Sequence, residues 1–206
     1  MAAATSGSAR RPASRPDATR TAIVAAARRL LAERGFRHLS VEAVAAAAGV
    51  TRVTVYNQLG SKLGLLEAIF ADLAQQGQMG WLRTLDQLPP RPALTAAIQH
   101  TTRFWASERA LLRQLLALAT IDPEAARIIQ TREQWRQAAI GGVVDRLATA
   151  GLLAPGISPA EATAAITAVS SFAAYDQLGA LAEDPATAAR LIDRLADGLL
   201  HPSARG

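Results

Sequence analysis

Apolar residues recur along this chain at helical spacing, and the polar residues between them mark where each helix starts and stops. Ile23, Ala27, Leu30 and Leu31 form a stripe on one helix face, and Gly35 supplies a C-terminal cap after Arg34. Ser40 can cap a second helix whose inner face is Val41, Val44, Ala45 and Ala48. Gly49 permits a tight turn into a third helix, capped by Thr51. Ser61 opens a fourth, with Leu65, Leu66, Ile69, Phe70 and Leu73 on its apolar side. Four helices therefore fill roughly residues 18–76.

Prolines punctuate the remainder. The run LPPRP at residues 88–92 forbids a continuing helix. Beyond it, Asp122-Pro123, Ser158-Pro159 and Asp184-Pro185 each place a capping side chain before a proline whose missing N–H would have no helical partner anyway. Ser158 and Glu161 also have capping-box spacing. The predicted segments are about 93–106, 108–120, 123–150, 159–181 and 185–200. The expectation is an all-α protein of about nine helices, with no internal repeat and no strand. Half of the 206 residues are hydrophobic but only 4% are aromatic, so Ala and Leu dominate the core, which supports that class.

Charge divides the chain. Up to residue 62, nine arginines and the chain's only lysine, Lys62, face three acids, a net +7; residues 63–206 carry a net −2. A basic head on a near-neutral body is the footprint of polyanion binding. Residues 1–17 have no periodicity and read as a disordered basic arm, in which Arg10, Arg11 and Arg15 could add loose phosphate contacts. Arg10-Arg11 is followed by PASRPDATR rather than an apolar stretch, so a twin-arginine export signal is rejected. No apolar run reaches the ~18 residues of a membrane span. The absence of cysteine excludes a disulfide scaffold and fits a reducing cytoplasm.

The third helix carries the chemistry. Val50, Val55 and Leu59 are spaced to face a small core, which turns Arg52, Val53, Thr54 and Tyr56 outward. Arginine can read guanine through two hydrogen bonds, threonine can reach a base edge, and valine can meet a thymine methyl. The Tyr56 hydroxyl and Lys62 suit phosphates. This is how a helix-turn-helix presents its recognition helix to the major groove.

The segment AGVTRVTVYNQLGSKLGLLEAI resembles the DNA-binding signature of the TetR (tetracycline repressor) family, and the resemblance extends back to about Ala18. It implies groove or phosphate contacts for Thr51, Arg52, Val53, Thr54 and Tyr56, and phosphate contacts for Ser40, Gln58 and Lys62. Gln58 stands where the family often has histidine, and Leu59 where it usually has phenylalanine. Gln58 can still donate to a phosphate, whereas Leu59 is a smaller core plug. Residues 18–62 are then the DNA-binding domain and 63–206 a helical regulatory and dimerisation domain. In this family the body dimerises through its last two long helices and encloses a small-molecule pocket, which implies a cytoplasmic, nucleoid-associated bacterial regulator.

Dimerisation has independent support, because one recognition helix reads only a short half-site and twofold symmetry doubles it. Ile166, Val169, Leu191, Ile192, Leu195 and Leu199 are the interface candidates. Trp81, Phe104, Trp105, Trp135, Phe172 and Tyr175 are six of the chain's nine aromatics and candidates to line a pocket, with His100, Thr101, Thr102 and Asp176 as polar anchors. Core filling would use the same residues. The three histidines have no metal-ligand spacing, and neither a nucleophile motif nor a phosphate-cradling glycine loop occurs, so no enzyme and no cofactor are expected. The reading is a sequence-specific transcriptional regulator: a homodimer that binds operator DNA as a repressor and is released by an unidentified small molecule. The alternative is an architectural or recombination-type DNA-binding protein without a pocket.

Overall fold

The computed structural model describes residues 15–76 and 82–204, and these residues are helical almost throughout. In the head, α1 (Arg15–Arg34), α2 (Val41–Ala48), α3 (Arg52–Leu59) and α4 (Lys62–Gln76) follow one another through short turns. The caps are those that the side chains dictate. Ser40 Oγ accepts from the Ala43 amide and Thr51 Oγ1 from the Thr54 amide, each at 3.1 Å. Gly49 sits at φ 68°, a left-handed conformation with no steric cost for glycine, and Val50 N then donates to Ala45 O at 3.0 Å.

The body contains α5 (Leu82–Leu85), α6 (Pro90–Ser107), α7 (Arg109–Ala119), α8 (Pro123–Thr149), α9 (Pro159–Val169), α10 (Phe172–Gln177) and α11 (Pro185–Asp197). The prolines expected to break the chain at 88–92 also start a helix, with Pro90 at the first position of α6. Asp122, Ser158 and Asp184 cap α8, α9 and α11, and the Ser158–Glu161 capping box forms. Among the described residues the helices number eleven rather than about nine. Part of the difference is at Ser170-Ser171, where the segment expected at 159–181 divides. Ser170 Oγ donates to Ile166 O at 2.6 Å, while Ser171 Oγ accepts from Ala174 N and caps α10. A hydroxyl bonded back to the i−4 carbonyl weakens a helix, and a serine cap beside it starts the next one. A 3-10 turn, Gly179–Glu183, then leads to α11.

The head has no core of its own. Ile23, Leu31, Val44 and Val55 pack in one continuous cluster with Leu65 and Ile69 of α4 and with Leu111, Leu115 and Leu118 of α7. A second cluster joins α6, α8, α9 and α11, and a third is built on Trp105, Phe172 and Tyr175. Ion pairs pin these layers. Arg28 of α1 bridges Asp72 of α4 and Glu108 at the start of α7, and Arg91 of α6 holds Asp193 and Asp197 of α11 at 2.9 and 2.8 Å. No helix among the described residues is long and apolar enough to cross a membrane.

Candidate nucleic-acid interface and interior cavity

Helical spacing divides α3 cleanly. Val55 and Leu59, four residues apart, are buried in the cluster that head and body share, and Val50 is half-buried beside them. Thr51, Arg52, Val53 and Tyr56 are exposed, and Thr54 and Gln58 are half-buried. Val53 at 66% and Tyr56 at 47% exposure leave apolar surface on this face free to meet a partner. Thr51 and Thr54 share a hydroxyl hydrogen bond of 2.9 Å. Lys62 opens α4 from beside this face, with Nζ 3.7 Å from the centroid of the Phe36 ring, so a cation–π contact steadies its charge.

Four residues on which this surface depends escape sequence reasoning. Arg20 of α1 donates from Nη1 to Gln58 O at 2.6 Å, tying the C-terminal end of α3 to the first helix. Glu42 of α2 pairs with Arg52 at 2.6 Å. Phe36 carries the lysine. At Gly64, a Cβ would lie 1.9 Å from Leu59 O, so only glycine lets α4 start this close to α3. A signal existed for Gly64 alone, since a glycine inside a helix generally marks close backbone approach or costs stability.

A partly open cavity of about 190 Å³ lies in the body. His100, Thr101, Phe104, Trp105, Trp135 and Phe172, expected as pocket residues, all line it. Phe104 and Trp105 rings lie 5.2 Å apart, and Trp105 meets Phe172 edge to face at 5.7 Å. From α4, Phe70 and Leu73 reach its wall, and α8 adds Arg132, Glu133 and Arg136. Arg136 is occupied within the chain: it pairs with Glu133 and donates to Ser170 Oγ at 2.9 Å and Thr167 O at 2.8 Å. The Trp105 indole N–H is likewise taken, by Ser170 O at 3.0 Å.

Tyr175 and Asp176 do not line this cavity. Tyr175 is fully buried and its hydroxyl donates to Ala182 O at 2.6 Å; burial pushes the phenol up from its ordinary pKa, against the nearby Arg109 charge. Asp176 binds Arg113 and Arg109 of α7 at 2.9 and 2.6 Å. The Arg113 hydrogen bond, with that of Arg109, holds its carboxyl below the usual range despite some desolvation. An acid on an otherwise apolar helix needs a partner, and here the partner is intramolecular. Trp81 lies outside the described residues. Of the interface candidates, Ile166 and Ile192 are buried in this chain's own core, Val169, Leu191 and Leu199 are partly covered, and Leu195 is 54% exposed.

Comparison with known proteins agrees with this geometry. Residues 23–69 match the family model described as bacterial regulatory proteins, tetR family. A TetR transcription regulator from Haloarcula marismortui superposes with a TM-score of 0.75 at 15% identity, covering 89% of this chain and 99% of that one. NalD of Pseudomonas aeruginosa, the secondary repressor of the MexAB-OprM multidrug efflux pump, superposes at 0.68 with 25% identity, covering 90% and 98%. GusR of Salmonella enterica gives 0.70 at 20% identity, covering 92% and 99%. Among curated proteins no sequence matches. Residues 23–69 thus match that family's helix-turn-helix head, and the chain as a whole has the fold of TetR-family transcriptional regulators. That fold implies regulation through DNA binding.

Proposed function

We propose that the protein is a homodimeric repressor that a small, largely apolar molecule releases from operator DNA. Residues 18–62 act as the DNA-binding domain, and residues 63–206 bind the effector and the second subunit. The observation that carries this reading is the double duty of α4. The helix starts at Lys62 beside the exposed face of α3, and two to three turns later places Phe70 and Leu73 in the cavity wall. A guest that displaces Phe70 or Leu73 moves the helix on which the recognition surface rests. In a twofold dimer this shifts the two recognition helices from the ~34–36 Å spacing of one DNA turn. The effector must favour one arrangement over the other for any switch to occur. Leu195 on α11 and Leu181 at 50% exposure on the turn packed against it are surface that a second copy could cover.

In the DNA reading, Arg52, Val53 and Thr54 read bases, while Ser40, Thr51, Tyr56, Gln58 and Lys62 hold phosphates. The test is binding to DNA from upstream of the protein's own gene, against excess unrelated duplex, with sedimentation to score the dimer. Arg52→Ala is expected to reduce discrimination between the two DNAs by roughly tenfold or more, the scale of a bidentate base contact. Lys62→Ala should weaken both DNAs alike and lower the salt slope by roughly 0.9. Equal wild-type affinity for the two DNAs would leave the architectural reading instead, and a monomer at micromolar concentration would remove the twofold reader.

A further inference from the structure

Arg52, the one arginine on the exposed face of α3, is already engaged before any DNA arrives. Its Nη2 lies 2.6 Å from Oε1 of Glu42, in the first turn of α2, with both side chains more than half exposed. Glu42 is the better anchored of the pair, because its backbone lies in the first turn of a helix whose Val44 and Ala45 are buried. Its backbone N–H, against some desolvation, and then the Arg52 charge and the Ser40 hydroxyl keep its carboxyl below the usual carboxylate range. The helices on either side cannot slide, because Val44 and Ala45 of α2 and Val55 of α3 are buried in one cluster around the Gly49 turn. A long, flexible arginine is therefore tethered by an acid whose position the fold determines.

We infer that Glu42 is a positioning residue for sequence readout: it cancels the charge of Arg52 and aims its guanidinium at a base edge rather than a phosphate. The inference rests on the reading of α3 as the recognition helix. Two physical arguments carry it. Attraction to phosphate follows net charge, and the Glu42–Arg52 pair has none, so this arginine contributes little to sequence-independent grip. Recognition of guanine O6 and N7 instead needs two aligned N–H groups, and a guanidinium with five donors keeps enough of them after one meets Glu42. An acid beside the groove also repels the backbone. Glu42 thus lowers affinity for every DNA while raising the advantage of the right one, which is specificity obtained by a repulsive element.

The test is selection from a random-sequence duplex library with the wild-type protein, Glu42→Gln, Arg52→Ala and the double variant. Each protein is then titrated with the wild-type-selected duplex and a scrambled duplex over a range of salt. Glu42→Gln is expected to bind the scrambled duplex roughly fivefold tighter, the upper end for losing an exposed ion pair. Its salt slope should steepen by roughly 0.9, one extra phosphate. Its selected sites should lose base preference at the positions that Arg52→Ala also loses. In the Arg52→Ala background, Glu42→Gln should leave discrimination unchanged. Equal loss of discrimination with and without Arg52, or no loss at all, would overturn the proposal while leaving the regulator reading standing. If the wild-type protein enriches no sequence, the regulator reading itself fails, and this inference with it.

Discussion

Polar side chains are treated in opposite ways at the two ends of this molecule. On the outer face of the head, Thr51, Arg52 and Tyr56 stand in solvent, and the contacts they make are to neighbours on α2 and α3 that leave donors to spare. Around the cavity, Arg136 and the Trp105 N–H are consumed by Glu133, Thr167 and Ser170, and the neighbouring Tyr175 and Asp176 are consumed by Ala182, Arg109 and Arg113. A surface built for a polyanion keeps hydrogen-bonding capacity uncommitted. Polar groups in an apolar wall that already have partners avoid the cost of about 1–3 kcal/mol that each unpaired one would carry in dry surroundings. The same residue types therefore mean different things in the two regions, and what separates them is whether a partner is already in place.

The contrast depends on a head whose helices are rigidly seated, and the largest test breaks that seat. Gly64→Ala puts a Cβ where Leu59 O stands, so α3 and α4 must separate. The expected cost is about 3 kcal/mol, at the upper end for forced overpacking, together with loss of DNA binding. Thermal unfolding and a DNA titration read the two effects. A variant that folds and binds normally would mean that the α3–α4 junction yields easily.

Next in size is the joint between the regions. Arg28→Met leaves Asp72 and Glu108 without their shared cation, although their side chains are only 28% and 12% exposed. Burial opposes the guanidinium's charge, and the hydrogen bonds it donates to Glu108 and Asp72 more than restore it, so the Arg28 pKa stands above its ordinary value. Losing the arginine should cost about 2 kcal/mol in urea unfolding, less than a fully buried pair because water reaches this one. An unchanged midpoint would show that the apolar α1–α4–α7 cluster alone joins head to body.

The smallest effect concerns Asp176. Its pKa is depressed in the folded protein, so its contribution is present above the ordinary carboxylate value near ~3.9 and is lost as pH falls through the lower folded value. Asp176→Asn should therefore cost less than about 1 kcal/mol at pH 7, and the gap to wild type should close in strongly acidic solution. Unfolding midpoints at neutral and acid pH measure it. A difference that persists in acid would assign the loss to packing rather than charge.

Most of the helix boundaries were legible because they are local. Ser40, Thr51, Asp122, Ser158 and Asp184 cap where they stand, and Gly49 turns where it stands, since each acts on backbone within a few residues of itself. The outward face of α3 was legible for the same reason, since helical period is a property of a short segment, whereas which aromatics meet at the cavity was not: Phe104, Trp105, Trp135 and Phe172 line it and Tyr175 does not. The sequence by itself therefore determined an all-α chain with a basic helix-turn-helix head and an aromatic-rich body. The tertiary structure alone decided that Arg28 joins residues 44 and 80 positions away, that Asp176 turns to α7 rather than the cavity, and that Glu42 holds Arg52. It also decided that Leu59 O leaves no room at Gly64, and that Ile166 and Ile192 belong to this chain's own core. Those outcomes depend on how separate helices pack, and periodicity along one helix carries no information about which neighbour will face it.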